Sequence, residues 1–143
     1  RMEFIEKIRE FKEKTGVIHF DPKDVLRENE VGLWMIRINQ RDNHYELHTD
    51  ATMERILSVN KKYTPMESYE FWCTKIHPDY YEYVHENIKE MIVSDNAVQM
   101  EFPWLHANLG DILIRFSGKR VKNIDGMIIL QGYCRVITDV IGA

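Results

Sequence analysis

Six histidines are the residues of this 143-residue sequence that could bind a metal ion or transfer a proton. Two of them, His44 and His48, have the i,i+4 spacing that places two ligands on one face of a helix. Residues 44–49 have the pattern of a strand, however, and at strand rise the two positions lie about 13 Å apart, too far to share a metal ion. No cysteine or acidic cluster completes a site, so we expect no metal centre.

The sequence lacks the motifs of common catalytic sites. It contains no nucleophile elbow, no phosphate-binding loop and no His-Glu-x-x-His zinc motif. Its two cysteines, Cys73 and Cys134, fit neither a disulfide framework nor a zinc pattern. We therefore expect that the domain itself is not an enzyme. The alternative is a small α+β enzyme that uses a buried His and Asp as base and acid, and it needs a deep pocket lined by His44, His48 or His106.

Length and composition predict one domain with a substantial apolar core. The chain has 44% apolar residues, and its 19 basic and 23 acidic residues give a net charge of −4. This balance argues against nucleic acid as the main partner, because phosphate binding needs a basic surplus. No apolar run approaches the roughly 20 residues of a membrane span, and no signal peptide opens the chain, so we expect a cytoplasmic domain without membrane contact. The opening Arg1 suggests a domain cut from a longer protein.

Residues 1–30 are predicted to form a helical lead-in, with an amphipathic helix over residues 2–14 that ends before Gly16. The apolar stripe of this helix consists of Phe4, Ile5, Ile8 and Phe11. A helix of this length is marginal alone, so its stripe must pack against something. It either folds back onto its own domain or serves as a dimer or signal-transmitting helix.

From Val31 onward the pattern is two strands, then helices, then three antiparallel strands. Asp50 can cap a first helix, and residues 64–67 read Thr-Pro-Met-Glu, a capping box with proline in the first helical position. The longest helix is predicted to begin at residues 76–79, which read Ile-His-Pro-Asp. We expect strands over residues 33–38, 44–49, 98–104, 112–121 and 127–137.

This order of elements resembles the PAS sensory domain over residues 31–141. The landmarks are Gly32-Leu33-Trp34, Ile76-His77-Pro78-Asp79, Glu101, Gly110-Asp111, Asn123-Ile124-Asp125-Gly126 and Gly132 to Thr138. The resemblance implies an α+β fold, with a five-stranded antiparallel sheet and helices over one face, preceded by the N-terminal amphipathic helix.

The same resemblance implies a sensory role in a bacterial multidomain signalling protein. Residues 101–104, Glu-Phe-Pro-Trp, and His106 look like a variant found upstream of diguanylate cyclase or histidine kinase modules. We expect the domain to sense a small ligand or a partner, to form a homodimer through the N-terminal helix, and to control an attached output domain of that kind. The alternative is a ligand-free PAS domain used for dimerisation.

A haem-binding PAS domain is a lesser alternative, in which His85 on the long helix would be the axial ligand. His85 lies one step, about 100°, off the apolar stripe that contains Val84 and Ile88, and we expect no cofactor.

The PAS resemblance places a ligand between the inner face of the sheet and the helices. The expected pocket residues are Trp34, Ile36, Tyr45, Ile56, Phe71, Trp72, Met91, Met100, Phe102, Ile114, Arg115 and Gln131. Tyr45, Arg115 and Gln131 are the polar groups among them that could orient a ligand. The same spacing is also typical of packed side chains, and we favour a filled core with at most a small cavity.

Overall fold

The computed structural model of the protein describes residues 6, 22 and 29–137. The predicted helix with Phe4, Ile5, Ile8 and Phe11 lies outside the described residues, as do residues 138–141. The domain boundaries 1–30 and 31–141 therefore stay predictions. Among the described residues, no helix combines the length and the hydropathy that crossing a membrane requires.

Strands and helices follow one another in the predicted order. The strands are β1 (Gly32–Asn39), β2 (His44–Thr49), β3 (Val98–His106), β4 (Gly110–Ile124) and β5 (Met127–Val136). The helices are α1 (Ala51–Ile56), α2 (Pro65–Thr74), a 3₁₀ turn (Pro78–Tyr80) and α3 (Tyr81–Val93).

The five strands form one antiparallel sheet in the order β2-β1-β5-β4-β3. The first strand therefore pairs with the last, and the helices carry the chain from one edge of the sheet to the other. Side chains of all three helices share one buried core with the inner face of the sheet. This confirms the α+β fold with a five-stranded antiparallel sheet and helices over one face.

Local sequence signals set the helix ends. The carboxylate of Asp50 accepts hydrogen bonds from the N–H of Met53 at 2.8 Å and of Leu33 at 3.1 Å, so the cap also ties α1 to β1. Thr64 and Glu67 form the predicted capping box in both directions. At the predicted start of the longest helix, His77 accepts the backbone N–H of Asp79, but the first turn there is 3₁₀ and α3 itself begins at Tyr81.

The last two strands are joined by a tight turn in which Asp125 and Gly126 both have positive φ, 52° and 82°. This is the backbone that an Asp-Gly hairpin turn requires. β4 is longer than the predicted 112–121 because it continues along β5 after its pairing with β3 has ended. The register shifts between Arg120 and Lys122, where the strand has an irregularity.

Candidate ligand site

The structure gathers eight of the twelve predicted pocket residues into the core, each no more than 3% exposed. They are Trp34, Ile36, Ile56, Trp72, Met91, Met100, Phe102 and Ile114. Alternation along the strands and the apolar stripes of the helices place them as the sequence predicts.

Aromatic rings occupy the centre of this core. The ring of Phe116 stacks between Trp34, with centroids 4.2 Å apart, and Trp72, with centroids 4.8 Å apart. Phe102 meets Trp72 edge to face at 6.1 Å. Phe116 was not among the predicted pocket residues, although it shares the period-2 pattern of Ile114. These rings thus pack against one another in the space between the sheet and the helices.

Two glycines make room for the Trp34 ring. Gly118 and Gly132 are cross-strand partners in β4 and β5, and Gly132 also pairs with Trp34 in β1. A Cβ atom on Gly132 would lie 2.6 Å from Cζ2 of Trp34, and one on Gly118 would contact the same indole. The indole therefore lies directly over this glycine pair, in space that any larger residue would occupy.

The three indole N–H groups differ in their hydrogen bonding. Trp34 donates to the carbonyl of Tyr133 at 3.0 Å, and Trp104 donates to the carbonyl of Trp72 at 3.1 Å. Nε1 of Trp72 is buried and has no hydrogen-bond partner in the part of the chain that the structure describes. An unpaired buried donor of this kind costs about 1–3 kcal/mol.

Tyr45 and Phe71 lie at the margin of the core, where both are half-buried. Tyr45 contacts Tyr69 with ring centroids 5.0 Å apart. Burial raises the pKa of the Tyr69 hydroxyl well above its usual value, and burial likewise raises the pKa of the neighbouring Cys73 thiol to about 11. The Tyr69 hydroxyl and the Cys73 thiol are therefore neutral at physiological pH.

Arg115 and Gln131 do not join the other predicted pocket residues. Arg115 is flanked in β4 by the buried Ile114 and Phe116, so its side chain lies on the outer face of the sheet, where it pairs with Glu101 across the strands at 2.7 Å. Gln131 is exposed next to the buried Leu130 for the same reason. Their expected position beside an inner-face ligand is corrected accordingly.

An open cleft of about 560 Å³ lies beside the filled core, between β2, α1, α2 and the loop that joins the two helices. Its lining residues are Leu47, His48, Thr49, Glu54, Leu57, Val59, Asn60, Lys61, Lys62, Tyr63, Pro65, Ser68 and Phe71. The volume falls within the range of about 300–1,000 Å³ that is typical of small-molecule sites.

The cleft has an apolar wall and a polar rim. Leu57 is buried, and the rings of Tyr63 and Phe71 stack with centroids 4.9 Å apart. Lys61 and Lys62 are exposed at the rim, and Nζ of Lys61 lies 5.4 Å from the centroid of the Tyr63 ring. An apolar or aromatic ligand with polar groups toward solvent fits this arrangement.

Of the twelve predicted pocket residues, only Phe71 lines the cleft. Six of the other lining residues, residue 57 and residues 59–63, were missed because they belong to a loop without helical or strand periodicity. The one available signal was the loop's place between the helix capped by Asp50 and the capping box at Thr64. That placement brings the loop against the end of β2.

His44 and His48 both contact Glu46, a residue that was not among the predicted candidates. Their Nε2 atoms each lie 3.0 Å from a different carboxylate oxygen. Hydrogen bonds from His48 and His44, together with the nearby Arg37, hold the pKa of Glu46 below its usual value. Among the described residues, no three His, Cys, Asp or Glu side chains are arranged to hold a metal ion.

The other histidines named as candidates have structural contacts. Nδ1 of His106 accepts the backbone N–H groups of Asn108 and Leu109 and so stabilises the β3–β4 turn. The centroids of the His85 and Tyr81 rings lie 4.2 Å apart, and burial lowers the pKa of His85. His48 borders the cleft, but its contact with Glu46 is only partly buried, which does not provide the deep pocket that the enzyme alternative requires.

Comparison with known proteins gives matches at the level of structure. No family model matches the chain, and no curated protein sequence matches it significantly. The N-terminal domain of a diguanylate cyclase with PAS/PAC sensor from Marinobacter aquaeolei is 21% identical, with a TM-score of 0.57 over 78% of this chain and 98% of that chain. A sensory box histidine kinase/response regulator from Burkholderia thailandensis is 16% identical, with a TM-score of 0.57 over 84% of this chain and 86% of that chain.

An animal protein has the same architecture. The Cycle PAS-B domain of Drosophila melanogaster, with bound ethylene glycol, is 12% identical, with a TM-score of 0.55 over 73% of this chain and 99% of that chain. At these identities the likeness concerns the fold.

Proposed function

We propose, from the premise that this chain has the PAS fold, that it is a sensory domain of a bacterial multidomain signalling protein. In this proposal it binds a small ligand and controls an attached diguanylate cyclase or histidine kinase module. Structural neighbours from proteins of both kinds support this context. In this proposal the domain itself carries no catalysis and lies in the cytoplasm, a location that is compatible with a membrane-attached parent protein.

The observation that carries the proposal is the cleft beside the core. Its walls come from β2, α1, α2 and the loop between the helices, so a ligand there contacts several elements at once. β2 pairs along its length with β1, and the chain enters β1 directly from the N-terminal lead-in. A change in the position of β2 would therefore reach the lead-in through one strand. Coupling of about 1–3 kcal/mol suffices for a 5- to 150-fold change in output.

A substitution that fills the cleft tests this proposal. Ser68 lines the cleft from α2, and Ser68→Trp would occupy it, whereas Met66 is exposed on the same helix outside the cleft, so Met66→Trp is a matched control. Small molecules that raise the melting temperature of the wild-type chain are expected to stabilise Met66→Trp equally and Ser68→Trp much less. If every stabilising compound acts equally on all three proteins, the cleft is not the ligand site.

The filled core favours a second candidate, a ligand-free PAS domain that dimerises through its N-terminal helix. Phe4 and Ile8 belong to the predicted stripe of that helix. Changing both to Lys is expected to convert a dimer to a monomer in size-exclusion chromatography while the circular dichroism spectrum stays unchanged. An unaffected dimer removes this role from the helix. The two candidates separate by ligand response, since only the first predicts that Ser68→Trp changes it.

A further inference from the structure

Lys61 and Lys62 are two positively charged side chains that line the cleft without a carboxylate partner. Both are exposed, and neither forms an ion pair with any residue that the structure describes. The ammonium group of Lys61 instead lies 5.4 Å from the centroid of the Tyr63 ring. The positive charge at this rim is therefore available to a bound anion.

The carboxylate nearest in sequence to these lysines is already engaged. Oε1 of Glu67 accepts the backbone N–H of Thr64 at 3.0 Å, as part of the capping box of α2. Hydrogen bonds from Thr64 lower the pKa of Glu67, and the positive charge of Lys61 lowers it further. Lys61 thus acts on its surroundings through its charge while its ammonium group stays free of a direct ion pair.

The charge of the cleft lining matches a ligand with one negative charge. Glu54 is the one acidic residue of the lining, so its two lysines leave a surplus of one positive charge when His48 is neutral. Asn60 and Ser68 add uncharged hydrogen-bonding groups. A single carboxylate brings this lining to neutrality, whereas a phosphate dianion would leave an excess of negative charge near Glu54.

The apolar wall of the cleft is aromatic. Tyr63 and Phe71 both line the cleft, and their rings stack with centroids 4.9 Å apart. Aromatic rings gain more from packing against one another in offset or edge-to-face geometry than their buried area alone provides. Because the ammonium group of Lys61 lies close to the Tyr63 ring, one small molecule with a ring and an acidic group a few atoms away reaches both.

We infer that the cleft binds an aromatic carboxylate. Its carboxylate group lies beside Lys61 and Lys62, and its ring packs against the aromatic wall. This inference rests on the proposed function, since it names the chemical class of the ligand that the cleft senses. Exposed ion pairs are weak individually, so we expect the two lysines together to strengthen binding on the order of tenfold.

Titration of the protein with cinnamate and with cinnamamide, followed by nuclear magnetic resonance, tests this. The two probes have nearly the same shape but differ in charge. Cinnamate is expected to bind the wild type about tenfold more tightly than cinnamamide at low salt. The preference is expected to disappear at about 1 M salt, where charges are screened beyond about 3 Å. Both comparisons use the unaltered protein.

Two double variants locate the preference. Lys61→Gln with Lys62→Gln removes the charges of the cleft, and Lys119→Gln with Lys122→Gln removes two exposed charges of β4 outside the cleft. The first is expected to bind cinnamate as weakly as cinnamamide, and the second is expected to keep the tenfold preference. Equal binding of both probes to the wild type, no binding of cinnamate, or equal losses in the two double variants would overturn the inference. Tighter binding of phenyl phosphate than of cinnamate would overturn the carboxylate class.

Ser68→Trp separates failure of this inference from failure of the cleft as a ligand site. It is expected to weaken the binding of both probes, because both occupy the same space. If it does so while the two probes bind the wild type equally, the cleft remains the ligand site and the carboxylate class is wrong. If it leaves the binding of both probes unchanged, the cleft is not the site and both proposals fail.

Discussion

Trp72 and Trp104 provide a matched pair of substitutions for the energetics of the core. Both side chains are fully buried. Of these two indole N–H groups, only that of Trp104 has a hydrogen-bond partner in the part of the chain that the structure describes. Replacement by Phe removes the indole N–H and a similar volume at each site. The effect of the lost volume therefore nearly cancels when the two variants are compared, and the difference reports on the hydrogen bonding.

The expected difference follows from three contributions. A Trp→Phe change removes roughly 40 Å³, which at about 24 cal/mol per Å³ costs about 1 kcal/mol if the core does not relax. Trp104→Phe also loses a hydrogen bond of about 0.5–1.5 kcal/mol. Trp72→Phe instead removes an unpaired donor and regains about 1–3 kcal/mol. We expect Trp104→Phe to lower the free energy of unfolding by about 2 kcal/mol and Trp72→Phe to leave it within about 1 kcal/mol of wild type or to raise it.

Urea unfolding of the ligand-free protein, followed by far-ultraviolet circular dichroism, measures both values without relying on tryptophan fluorescence. The slope of the unfolding free energy against urea concentration must be the same in all three proteins for the midpoints to be compared. Equal losses in the two variants, or a larger loss for Trp72→Phe, would contradict this expectation, because they would mean that the Trp72 N–H already has a partner in the free protein.

Three further predictions concern stability. Gly132→Ala is expected to lower the urea midpoint sharply, because its Cβ would meet Gly118 and Trp34. Gly110→Ala is expected to cost only about 1 kcal/mol, because the space around Gly110 is open and only its φ of 73° opposes a side chain. Equal effects of the two substitutions would contradict this. Thr64→Ala removes one half of the capping box and is expected to cost about 1 kcal/mol in the same assay, and an unchanged midpoint would contradict it. Folding lowers the pKa of Glu46. The contribution of the ionised Glu46 carboxylate to stability is therefore complete above the pKa it has in the unfolded chain, and it is lost as the pH falls through the lower pKa of the folded protein. Glu46→Gln is therefore expected to lose less stability than wild type on acidification below about pH 4.5, and parallel pH profiles of urea midpoints would contradict this.

Much of the fold could be predicted from the sequence because its signals are local. The capping box at Thr64, the Asp125-Gly126 turn and the alternation of β1 each depend on residues a few positions apart, and each is present. The length of β4 was underestimated because its last residues are set by pairing with β5, a contact that the local pattern does not contain.

The candidate site was less predictable, for two different reasons. The sequence does contain the information that Arg115 lies on the outer face of the sheet, because the alternation that places Ile114 inside also places Arg115 outside. The cleft was not available, because it depends on how a non-periodic loop packs against the end of β2. The spacing of His44 and His48 likewise did not indicate Glu46, although both side chains contact its carboxylate.

The activity of the output module in the protein that contains this chain, measured with and without a compound that stabilises the wild-type domain, tests the sensory role itself. We expect a change of roughly 5- to 150-fold in the wild type and in Met66→Trp. We expect little or no response in Ser68→Trp at the same compound concentration. A response of equal size in all three proteins would contradict a ligand site in the cleft, and no response in any of them would contradict control of the output module by this domain.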